Sequence, residues 1–160
     1  MRKALALLCV AGLLAGVPAC KVTDPTTGVQ YFPLIYTDLI AAEPLRVTIP
    51  STRVFRDQAS WDMFWQANVP LAGVPPTVDF AQDMVVGVFW GAQGTGCFHY
   101  VGAIDSVRLR LDGVNTTGVI EVEIGPLPDL GVCAMNVVPL QVLVLENTIT
   151  PVQFVGMVPS

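Results

Sequence analysis

Along the second two thirds of the chain, apolar residues come in short runs separated by turn-forming residues. Val47 and Ile49 alternate with Arg46 and Thr48, and Val54 and Phe55 stand between Arg53 and Arg56, which predicts one or two short strands around Pro50. Residues 84–90 (Met-Val-Val-Gly-Val-Phe-Trp) are continuously apolar and predict a central strand. Residues 97–104 predict the next strand. In the one after it, Val107, Leu109 and Leu111 alternate with Arg108, Arg110 and Asp112, the pattern of a half-exposed strand. Residues 113–118 make a turn, and residues 119–124 alternate again through Glu121 and Glu123, which places both carboxylates on one solvated face. Residues 135–147 predict a strand bent at Pro139, and residues 151–155 an edge strand.

One segment has the other period. Trp61, Phe64 and Trp65 lie at i, i+3 and i+4, so three aromatics share one face of a predicted helix. Ser60 is the expected N-cap, Asp62 suits the first turn and Pro70 ends the run. Such a stripe reads as a core contact that seats the helix on a sheet. The fold class expected is mainly β, a β-rich α+β arrangement. It takes the form of an antiparallel sandwich or partial barrel with one short helix covering an end.

The N-terminal region is different. Arg2 and Lys3 precede fourteen apolar or small residues, 4–17, and Val17-Pro18-Ala19 leads to Cys20. This is the layout of a secretory signal peptide, and the run is short of the roughly 18 to 20 residues that a membrane-spanning helix needs. Residues 17–20 resemble the bacterial lipoprotein signal, in which the cysteine receives diacylglycerol and becomes the new N-terminus; palmitate is the kind of acyl group this implies. Ordinary signal-peptidase cleavage after Ala19 fits the same residues and would leave Cys20 unmodified. Residues 21–30, with Thr23, Asp24, Pro25 and Gly28, read as a polar tether, and residues 31–42 as a strand or irregular segment laid on the domain. The expected organisation is therefore a signal peptide at 1–19, a lipid-anchored tether and N-terminal segment at 20–44, and a β domain at 45–160.

Composition narrows the function classes. Hydrophobic residues make up 52% of the 160 and charged residues 13%, about half the roughly 25% of an ordinary soluble domain, which excludes a disordered polyelectrolyte. Removing residues 1–19 takes away two of the eight basic groups and none of the thirteen acidic ones, leaving a charge of -7 on the exported form. Such a chain does not assemble a Lys/Arg patch for phosphates, so no nucleic-acid partner is expected.

Of four cysteines, Cys9 leaves with the signal peptide, and acylation of Cys20 leaves Cys97 and Cys133 to pair. Closing residues 97–133 is worth about 4 kcal/mol in the chain-entropy model. Two isolated cysteines and His99 do not supply the ligands of a structural zinc, so no metal and no cofactor are expected. His99 lacks a companion nucleophile, there is no GxSxG, and the glycine-rich stretch 91–96 is followed by neither a lysine nor a predicted helix, as a phosphate cradle would require. No catalytic residue is assigned, and the chain is read as a non-enzyme.

The string Ser60-Trp61 with Phe64-Trp65, then Val78-Asp79-Phe80, Asp83-Met84-Val85-Val86, Gly91, Thr95-Gly96 and the aromatics Phe98 and Tyr100 resembles the C-terminal domain of PrcB-type protease complex subunits. The likeness spans about residues 46–154, with Pro139 to Leu145 supplying that family's late proline-containing strand, and Cys97 standing where the family has the second glycine of a Thr-Gly-Gly turn. It implies an exported, often lipid-anchored accessory domain of the cell envelope, on the periplasmic or cell-surface side of a bacterial membrane. Such a domain binds or stabilises an envelope protein, with a protease as the suspected partner, and touches the membrane through its N-terminal lipid only. The candidate interaction loop is Gly91, Gln93, Gly94, Thr95 and Gly96, with residues 126–131 beside it. The alternative is a small-ligand-binding module or a protease inhibitor. For the latter, Asp24-Pro25-Thr26-Thr27-Gly28 resembles the Asn-Pro-Thr-Thr-Gly loop of chagasin-like inhibitors, although here it precedes every predicted scaffold strand and the Arg-Pro-Trp-like loop is missing.

Overall fold

The computed structural model describes residues 22–39, 46–68, 74–97, 102–112 and 118–160. The signal peptide, Cys20, the expected domain boundary at residue 45, and Phe98, His99 and Tyr100 lie outside them. The described elements are β1 (Val22–Thr23), β2 (Gln30–Pro33), β3 (Tyr36–Asp38), β4 (Ser51–Phe55), α1 (Gln58–Asn68), β5 (Asp83–Phe89), β6 (Thr95–Gly96), β7 (Ile104–Leu111), β8 (Val119–Ile124), β9 (Met135–Asn136), β10 (Leu140–Glu146) and β11 (Val152–Gly156).

They form a five-stranded sheet of order β1-β2-β7-β8-β11, a four-stranded sheet of order β3-β10-β5-β4, and the two-stranded ribbon β6-β9. All pairs are antiparallel except β8 with β11, which run parallel, Ile120 opposite Val152. Among the described residues the arrangement is a sandwich with one helix, not a closed barrel.

The side-chain alternation of β5 explains its unbroken apolar run. Met84, Val86 and Val88 join Val107, Ile120, Val122 and Ile124 of the five-stranded sheet in one core. Val85 and Phe89 point the other way, into a second core with Trp61 and Trp65 of α1. A strand covered on both faces has no position left for a polar side chain.

Helix α1 starts earlier than expected. Asp57, not Ser60, is the N-cap: its Oδ1 accepts the Ser60 amide hydrogen at 2.8 Å, and the Ser60 hydroxyl donates to the Asp57 carbonyl at 3.0 Å. Ser60 is thus the third helical residue, where its amide is one of those a cap must satisfy. The aromatic stripe seats the helix as expected. Trp61 is fully buried, its ring lies 5.1 Å from that of Phe55 on β4, and Phe64 lies 5.1 Å from Phe89 on β5.

The segment expected as a tether is part of the fold. β1 and β2 form a hairpin on the edge of the five-stranded sheet, with β2 paired to β7. The Asp24 carboxylate holds the turn, accepting from the Thr26 amide at 2.8 Å and the Thr27 hydroxyl at 2.9 Å, and these bonds lower its pKa. Residues 34 and 35 then carry the chain across to β3 on the other sheet.

Glu121 also departs from the solvated reading. It is 4% exposed, its carboxylate accepting from Arg108 Nε at 3.1 Å and from Arg110 Nη1, while Arg108 Nη1 also lies 3.1 Å from Glu123. The hydrogen bond to Glu121 holds the Arg110 guanidinium above its ordinary pKa. Arg108 in turn lies 4.6 Å over the Tyr31 ring. Two arginines of the neighbouring strand β7, one of them stacked on Tyr31 of β2, hold a carboxylate that alternation alone assigns to solvent.

Candidate functional site

The loop after β5 is held at nearly every residue. Trp90 donates its amide to Pro139 O at 3.0 Å, Ala92 to Thr48 O at 3.2 Å, and Gln93 to Val137 O at 3.1 Å, while Val137 returns an amide to Gly94 O at 2.9 Å. The Gln93 side chain folds back onto Trp90 O at 2.6 Å. Thr95 and Gly96 then pair with Asn136 and Met135, and the Cys97 amide donates to Leu130 O at 2.7 Å. The expected disulfide is present: Cys97 and Cys133 are bonded, with Cα atoms 5.0 Å apart. The bridge and the β6-β9 ribbon fasten the loop at 91–96 to the loop at 126–134.

Within the candidate interaction set the five residues divide by role. Gln93, Gly94 and Thr95 are exposed, whereas Gly91 and Gly96 are buried. Gly91 has φ 71°, and a Cβ there would stand 2.8 Å from Thr48 O and from the Pro50 ring. At Gly96 a Cβ would meet Leu130 at 2.9 Å and Val137 at 3.0 Å. Gly91 lets the loop pack on the segment at Thr48 and Pro50, and Gly96 lets it pack on the loop at 126–134; the other three residues present a surface. Val132, beside Cys133, adds a fully exposed apolar side chain that the sequence pattern did not single out.

Between residues 90 and 97 there is no charged residue, and between 126 and 137 only Asp129, whose carboxylate caps the Gly131 amide at 2.9 Å. The geometry is that of a braced, nearly neutral surface. No nucleophile with an adjacent base is assembled on it from the described residues, and none of the described residues form a group of three His, Cys, Asp or Glu side chains able to hold a metal ion.

No family model, no curated protein and no solved structure matches the chain. Among the described residues, no helix is long and apolar enough to cross a membrane.

Sequence reasoning placed the two loops side by side through the cysteine count. What it missed is their hydrogen-bonded ribbon, because a two-residue strand has no periodicity to detect. The exposure of Val132 was hidden for a similar reason. A single valine in a turn-rich stretch reads the same whether it faces the core or water.

Proposed function

We propose that this chain is an exported, lipid-anchored accessory domain of the bacterial envelope whose disulfide-braced loops bind an envelope protein, with a protease as the partner class. The observation that carries the reading is the braced loop pair itself: a surface already fixed in the free protein loses little conformational entropy on docking. The resemblance to PrcB-type C-terminal domains supplies the partner class, and Cys20 the anchor. Affinity capture from envelope membranes, comparing wild type with Val132→Asp and Thr95→Arg, tests it. The expected result is a protein partner recovered by wild type and lost with either substitution. Recovery of the same proteins by all three chains, or of none by wild type, would overturn it. The intact mass of the membrane-extracted protein reports separately whether Cys20 carries the lipid.

A second reading gains from the hairpin. Residues 24–28 are the tip of an ordered turn between two strands, so the loop that resembles the chagasin-like motif does have a scaffold. Titration against papain separates the two readings, since an inhibitor blocks cleavage and an accessory domain leaves it unchanged.

A further inference from the structure

Among the described residues four strands stand at a sheet edge: β1 and β11 in the five-stranded sheet, β3 and β4 in the four-stranded one. Proteins keep such edges from capturing other chains by making them very short or by placing charge on them. β1 has two residues, β3 has three and ends in Asp38, and β4 carries the exposed Arg53. β11 has five residues, none of them charged and none proline. The lack of charge extends beyond the strand, since residues 147–160 include no Asp, Glu, Lys, Arg or His in a chain whose net charge is -5.

The printed register of β11 on β8 shows which backbone groups are left open. The Pro151 carbonyl accepts the Ile120 amide hydrogen at 2.8 Å, and the Met157 amide donates to the Ile124 carbonyl at 2.9 Å. In a ladder, alternate residues of a strand turn their backbone groups to the same neighbour, so residues 151, 153, 155 and 157 face β8. Val152 and Phe154 therefore turn both N–H and C=O to the open side. Gly156, at φ 87°, takes the backbone out of the extended conformation just beyond them. The side chains of Val152 and Phe154 pack on the core but are only partly buried, and on either side of the strand Ile149 and Met157 stand 101% and 63% exposed.

We propose that β11 pairs with β11 of a second copy of this chain, antiparallel about a two-fold axis at Gln153, which lies midway between the two open residues. Val152 and the partner's Phe154 then exchange both backbone hydrogen bonds, as do Phe154 and the partner's Val152, and each is also a β-branched residue set against an aromatic one. Counted along the same register, Ile149 falls opposite the partner's Met157 at both ends. A second copy is the occupant because the strand is its own complement: every apolar residue it leaves open has a counterpart on the same patch, as a two-fold contact requires. Two acidic chains meet through a stretch that has no charge to repel. The surface is separate from the braced loops, so it stands whether or not those loops bind a protein.

Sedimentation of the purified mature protein tests the pairing, and wild type is expected to pass from monomer to dimer between about 5 μM and about 1 mM, the range of a small edge contact. Gln153→Lys sets like charges opposite each other and should weaken the dimer about fivefold. Gln153 is exposed and lies beside Glu121 in the β8 register, so the monomer accepts a lysine there. Ile149→Asp changes a fully exposed residue outside the strand and should weaken the dimer about tenfold, because the contact occurs twice. Gln153→Cys reports the register: residues facing each other at a non-hydrogen-bonded site are about 4.5 Å apart, within disulfide reach. Oxidation should give a reducible dimer that peptide mapping assigns to position 153, whereas Val155→Cys, opposite the partner's Pro151, should give none. A wild type still monomeric at the highest concentration, a dimer unaffected by both Gln153→Lys and Ile149→Asp, or equal cross-linking from positions 153 and 155 would overturn the proposal.

Discussion

Gln141 Oε1 on β10 accepts the Ile104 amide hydrogen of β7 at 2.7 Å, and the same oxygen takes the Ala103 amide at 2.8 Å. One buried side chain therefore satisfies two backbone donors of the opposite sheet, while its own amide donates to Asp38 on β3 at 3.1 Å. The bond pins the two sheets together at the end that carries the braced loops.

Gln141→Leu should cost about 2–4 kcal/mol, because the two amides it leaves are buried with no acceptor, each worth about 1–3 kcal/mol when orphaned. The midpoint of urea unfolding measures the loss. A change below about 1 kcal/mol would mean that water replaces the side chain.

Glu121 and Glu123 are two residues apart on β8 and should behave differently. Glu121→Ala removes the shared partner of Arg108 and Arg110 from a covered position and should destabilise by about 2–3 kcal/mol. Glu123→Ala breaks a pair whose carboxylate is 40% exposed and should cost less than about 1 kcal/mol. Urea titrations of the two variants side by side distinguish the covered carboxylate from the solvated one.

Reducing the Cys97–Cys133 bridge, or replacing both cysteines by serine, should lower stability by about 4 kcal/mol, the chain-entropy value for a sequence separation of 36. Mass spectrometry should show a gain of two hydrogens on reduction, and the melting temperature should fall. Because the β6-β9 bonds hold the same loops, the reduced domain should keep its far-ultraviolet circular dichroism.

Gly91→Ala and Gly94→Ala place the same methyl group on the same left-handed backbone in different surroundings. At Gly94 nothing lies within 4 Å of the added carbon, so only the conformational penalty of about 1 kcal/mol applies. At Gly91 the contacts with Thr48 O and Pro50 are added, and the loss should reach about 3 kcal/mol. Thermal unfolding of the pair checks the order.

The β1-β2 turn should weaken in acid. Hydrogen bonds from Thr26 and Thr27 hold Asp24 below its ordinary value of 3.8, so the turn is stabilised above that value, and the contribution fades as pH falls through the lowered one. Amide exchange at Thr26, followed across the acid range, should quicken in wild type. In Asp24→Asn, which keeps a side-chain acceptor but does not titrate, the extra pH dependence should vanish.

Particular residues show how far the sequence could be read. The run 84–90 was recognisable as a central strand because two covered faces leave no room for alternation, and Trp61 with Trp65 declared the buried side of α1. The cysteine pair followed from compartment and count. Glu121 was misread because periodicity tells which face a side chain is on, not what neighbouring strands lay over it. Asp57 and Ser60 are equally good caps, and only the backbone decides between them. Cross-strand neighbours could not be found in advance: Asp83 and Glu146 are 63 positions apart in the chain and become neighbours only through the β5-β10 register.

The parallel pairing of β8 with β11 has a kinetic consequence. Neighbours running the same way cannot be joined by a tight turn, and here β9 and β10 intervene, with β10 belonging to the other sheet. β7 and β8 can pair as soon as they are made, but β8 keeps a bare edge of backbone donors and acceptors until the last strand arrives. In a chain that emerges N-terminus first, assembly of the five-stranded sheet therefore ends with residues 152–156, and every intermediate before that step exposes a strand edge able to capture another chain.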